Sequence, residues 1–86
     1  MEIRVLIVRE GEWFVAQGLE VDIGTQARTL ETLKQSFEMT FLAETAAREG
    51  RLDSIGPAPD EFWRAYDMEG AHRWVFNGGR DEQRTL

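Results

Sequence analysis

The hydrophobic period of this chain changes between Val21 and Leu33, and that change constrains the fold more than any other feature of the sequence. Val21, Ile23, Thr25 and Ala27 alternate with the polar or small residues Asp22, Gly24, Gln26 and Arg28, the two-residue period of a half-buried strand. Beyond Leu30 the strongest apolar positions become Leu33, Phe37 and Phe41, the three-and-four spacing of an amphipathic helix. Thr29 stands where an N-cap hydroxyl accepts an amide hydrogen, so the strand hands over to the helix within a few residues. Such a helix is the cover for a sheet with one apolar face.

The preceding residues supply that sheet. Residues 3–8 are rich in β-branched side chains and apolar on both alternating faces, which predicts an interior strand. A polar connection, Glu10-Gly11-Glu12, leads into a returning strand at 13–17, and Gly18-Leu19-Glu20 turns the chain into the strand that begins near Val21. The result is a three-stranded antiparallel meander. The helix runs from Thr29 to about Arg48 with Leu30, Leu33, Phe37 and Phe41 inward, while Glu44 and Arg48 on the same line lift its last turns towards water. Gly50 suits the position after the helix. Residues 51–59 read as a loop pinned by Leu52 and Ile55, and Pro59 opens a short second helix over 60–68 that Gly70 ends. A fourth strand follows at 72–76, with Trp74 and Phe76 on one face and Arg73 and Val75 on the other. The predicted fold is α+β, one domain over residues 1–77, with 78–86 a flexible tail.

An 86-residue chain buries a smaller fraction of its surface than a longer one, and without cysteine it gains nothing from disulfides. Oligomerisation is therefore an expected support. The absence of thiolates and the single imidazole of His72 argue against a structural zinc site, and no cofactor motif is present. The excess of 16 acidic over 10 basic side chains, a net charge of −6, opposes binding to nucleic acid phosphates and favours a basic protein partner. The apolar run at the start is too short for a secretory or membrane-spanning segment, so a cytoplasmic location is expected.

Chemistry-bearing residues are sparse. His72 is the sole imidazole base, and no motif ties a serine or carboxylate to it. The pairs Asp60-Glu61 and Asp81-Glu82 are explained by a helix start and a solvated tail. Gly78-Gly79 lacks the strand-to-helix setting of a phosphate loop. Glu20, Asp22 and Gln26 project together by alternation and form either an acidic docking patch or an ordinary solvated face. Met39 and Leu42, with Ala43 and Ala46, lie off the helix's main stripe and offer a second apolar surface unless a later segment folds over it or they are simply exposed. Of Trp13, Trp63 and Trp74, the one left outside the core favours an interface, and Trp63 is the candidate.

Residues 13–26, WFVAQGLEVDIGTQ, resemble the HicB antitoxin family's segment in which an aromatic and Val-Ala lead through a turn to a short strand ending in Gln. Thr29-Leu30-Glu31 matches the family's helix start, and Leu33, Phe37 and Phe41 fit its amphipathic helix, so the likeness covers roughly residues 3–48. It departs at Ala27, where the family usually has glycine. The resemblance implies a partial RNase H-like fold and a non-catalytic protein that neutralises a small basic, mRNA-cleaving toxin of the HicA type. Many family members continue into a DNA-binding domain, but this sequence ends about ten residues after its last predicted strand, so direct DNA binding is not expected. The alternative is a homo-oligomeric structural or regulatory module joined through a strand edge or the Met39 and Leu42 side of the helix.

Overall fold

The computed structural model describes residues 1–78, and the rest of the predicted tail, residues 79–86, lies outside them. Four strands form one antiparallel sheet: β1 (Glu2–Glu10), β2 (Trp13–Gly18), β3 (Gly24–Ala27) and β4 (His72–Asn77), in the order β3-β2-β1-β4. The main helix α1 (Leu30–Ala47) and a short helix α2 (Asp60–Tyr66) complete an α+β fold, with one 3-10 turn at Leu52–Ser54 between them. As the β-branched run predicts, β1 is interior, paired with β2 from Val5↔Gly18 to Glu10↔Trp13 and with β4 from Glu2↔Asn77 to Ile7↔His72.

Alternation divides the sheet into two faces. On the inner face Ile3, Val5 and Ile7 of β1 join Ala16, Ala27 and Phe76 beneath Leu33, Phe37 and Phe41 of α1 in one buried cluster. Phe37 meets Trp74 and Phe76 edge-on at centroid distances of 5.7 and 5.3 Å, and Phe41 meets Phe76 at 5.0 Å, the geometry that aromatic quadrupoles favour. Thr29 caps α1 as its sequence position predicts, its Oγ1 accepting from the Thr32 amide at 3.1 Å. Leu52 is buried and Ile55 packs against the cluster, which anchors the loop after α1.

The third strand is shorter than its alternation implies. Val21 and Ile23 are buried, but they belong to a tight link in which Gly18 donates to the Ile23 carbonyl and Leu19 to the Arg4 carbonyl, both at 2.9 Å. The Asp22 amide donates to Gly56 and the Ala58 amide to Leu19, so this link is also laced to the loop before α2. A Cβ on Gly18 would stand 2.7 Å from the Val21 carbonyl oxygen and 3.2 Å from both Ile3 and Phe37, which leaves glycine as the residue that fits the crossing. Ala27, where the family resemblance leads to glycine, keeps a negative φ and buries its methyl in the core.

Gly78 belongs to the fold, not to a tail. Its backbone exchanges hydrogen bonds with Met1, at 2.8 Å from its amide and 2.7 Å to its carbonyl. It is buried, and a Cβ there would fall 2.6 Å from the Phe41 ring.

Candidate functional surface

The outer face carries Arg4, Leu6 and Val8 of β1, Trp13, Val15 and Gln17 of β2, Gln26 of β3, and Arg73 and Val75 of β4. Helix α2 packs on β1 from this side, with the Arg4 guanidinium 4.8 Å above the Trp63 ring, and Leu6 is buried there although it points away from α1. Trp63 is half-buried, and its indole donates to the Ala58 carbonyl at 3.1 Å, so it pins the loop instead of standing outside. Trp13 is the most exposed of the three tryptophans, at 38%. The ring left most exposed is therefore Trp13 and not the Trp63 expected from sequence, because composition cannot tell which strand end α2 leaves bare.

The bare end is a continuous patch. Val8 lies opposite Val15, and Val15 opposite Gln26, across three adjacent strands. Trp13 stands two residues from Val15 on the same face, with Arg28 4.7 Å over its ring and also paired to Glu12 at 3.2 Å. Such fully solvated ion pairs contribute little to stability, so Arg28 is free to leave the ring when something better covers it.

Glu20 and Asp22 reach the same face from the link, and only one of them keeps an uncompensated charge. Glu20 accepts from the Arg4 amide at 2.7 Å and from Arg4 Nε at 2.6 Å, extending the ladder of β1 where β2 has ended. Partial burial pushes its carboxyl upward, but the hydrogen bonds and charge of Arg4 outweigh that and hold it below the usual carboxylate range. The same hydrogen bond and charge keep Arg4 more firmly protonated. Among the described residues Asp22 accepts a side-chain hydrogen bond only from the neutral amide of Gln17, at 2.8 Å, with no cationic partner.

Met39 and Leu42 are 66% and 51% exposed on the side of α1 turned away from the sheet, with Ala43 and Ala46 exposed beside them. No later segment among the described residues covers this stripe. The six residues singled out from sequence therefore fall into three regions: Glu20, Asp22 and Gln26 on the outer face, Met39 and Leu42 behind α1, and Trp63 under α2. Val8, Trp13 and Val15 were missed as a group, although the apolar character of residues 3–8 on both faces was the signal that could have found them.

Among the described residues no three His, Cys, Asp or Glu side chains cluster to hold a metal ion. His72 is exposed at the start of β4 with no hydrogen-bonding carboxylate or hydroxyl among the described residues. A shallow recess of about 300 Å³ is lined by Arg48, Arg51, Asp53 and Ser54, whose polar groups partly satisfy one another: Arg48 donates to Ser54 Oγ and Ser54 donates to the Arg51 carbonyl. Within the described residues no helix is long and apolar enough to cross a membrane. Comparisons of the chain with family models, curated proteins and solved structures found no match.

Proposed function

We propose that this chain is a non-catalytic protein-binding module of the HicB kind, acting in the cytoplasm by covering the RNA-binding surface of a small basic toxin of the HicA type. The observation that carries the reading is the exposed Trp13 beside the directly paired Val8 and Val15, on a sheet face that α2 leaves open. Aromatic anchors beside polar groups dominate protein interfaces, and here Glu10 lies opposite Trp13, Gln26 lies opposite Val15, and Arg28, paired to Glu12, lies over the Trp13 ring. The net charge of −6 favours a basic partner and speeds its approach. It disfavours a direct role on DNA.

The resemblance over roughly residues 3–48 implies the kind of partner, and the patch is the surface that would meet it. Co-expression with a basic protein encoded beside this one tests the reading. Stoichiometric co-purification together with loss of the partner's mRNA cleavage supports it; a neighbouring basic protein that remains free refutes it.

A further inference from the structure

Among the described residues no strand pairs with the outward edge of β4, and we propose that two copies of this chain pair there, β4 against β4, to make one continuous eight-stranded sheet. This inference stands apart from the toxin-binding reading, which uses the other end of the outer face.

The backbone sets the register. Met1 and Gly78 exchange both of their hydrogen bonds, and bonded pairs alternate along an antiparallel ladder, so Ile3 with Phe76, Val5 with Trp74 and Ile7 with His72 are the bonded pairs as well. The amides and carbonyls of Arg73, Val75 and Asn77 therefore point off the sheet. A second β4 related by a two-fold axis through Val75 meets them with their own counterparts, about six backbone hydrogen bonds in all.

The side chains fit that register. Val75, 43% exposed, lies opposite itself, and Arg73 lies opposite Asn77 of the other copy, so no like charges face one another. On the inner face Trp74 lies opposite Phe76 of the other copy, which joins the two aromatic clusters. The usual devices that keep an edge from pairing are missing. Residues 72–77 hold no proline, lysine or acid, and their ladder to β1 runs without a bulge. The guanidinium of Arg73 is turned aside, donating to the carbonyls of Tyr66 at 2.6 Å and Met68 at 2.9 Å. The opposite edge is a poorer template, since β3 has four residues and α1 follows it closely. Repulsion between two copies of net charge −6 is screened by salt, so association strengthens as ionic strength rises.

Sedimentation of the full chain over a range of concentrations and salt reads the mass, and a monomer at high concentration overturns the proposal. Val75→Pro removes an amide hydrogen that points away from β1; it weakens association at least about 30-fold, the loss of two backbone hydrogen bonds, while circular dichroism stays that of the wild type. Should proline disturb the fold, Val75→Lys sets two ammonium groups opposite one another with the strand intact and also gives a monomer. Because the chain has no cysteine, Val75→Cys under mild oxidation yields a covalent dimer, whereas Met39→Cys does not. A dimer that survives both Val75 variants, or that cross-links through Met39→Cys alone, places the contact on α1 and overturns the proposal.

Discussion

On the inner face of the sheet Ile3, Val5 and Ile7 are each at most 4% exposed beneath α1, whereas the residues that alternate with them on the outer face include buried Leu6 but also exposed Arg4 and Val8. An 18-residue helix covers one face with a stripe of Leu33, Phe37 and Phe41; a seven-residue helix covers part of the other with none of its residues buried. Among the described residues the buried side chains of the inner face are all apolar. The outer face is held by polar devices, chiefly Glu20 on Arg4 and Arg4 on Trp63, and ends in exposed Trp13 and Val8 with half-buried Val15 beside them. The two faces thus differ in how fully each is covered, and the proposed binding surface lies on the less covered one.

Substitutions break this contrast in order of size. Phe37→Ala opens a cavity where α1 meets two aromatic rings of β4 and costs about 3–5 kcal/mol in urea unfolding, enough to unfold much of a domain this small. Gly18→Ala forces backbone to shift at the Val21 carbonyl and costs about 1–3 kcal/mol by the same measurement. Glu20→Gln on the outer face costs about 1 kcal/mol, because the pair is partly solvated and the amide still accepts a hydrogen bond.

Glu20→Gln also changes the acid limb of the stability curve. A carboxyl held lower in the folded chain than in the unfolded one contributes stability above its ordinary value and loses it as pH falls through the depressed one. The wild type therefore loses stability across that acid window more steeply than the variant, as thermal melts at stepped pH will show. Smallest of all is Met39→Ser, within about 0.5 kcal/mol of wild type, because Met39 meets water on the far side of α1.

Local physics made most of the architecture legible. Thr29 as a cap, Leu33, Phe37 and Phe41 as the buried stripe and the interior place of β1 follow from spacing and side-chain type over short windows. The link at Val21 and Ile23 did not, since buried residues in an extended turn alternate as a strand does, and only hydrogen bonds from Asp22 and to Leu19, shared with residues 56–58, mark the difference. The proposed binding surface was legible in part. Gln26 and Asp22 lie beside the patch, but exposing Trp13 rather than Trp63 depends on where α2 docks, a contact between segments far apart in sequence. Gly78 is a similar case, because its fit against Phe41 is invisible without the register of β4 on β1.

The proposed division between a packed face and a binding face is tested most directly by calorimetric titration of the wild type and Trp13→Ser with the small basic partner proposed for this chain. The account predicts that Trp13→Ser weakens binding by about 2 kcal/mol or more, roughly 30-fold, while its unfolding free energy changes by less than about 1 kcal/mol. Equal affinity for the two proteins, or a loss of binding matched by a loss of fold, would contradict it.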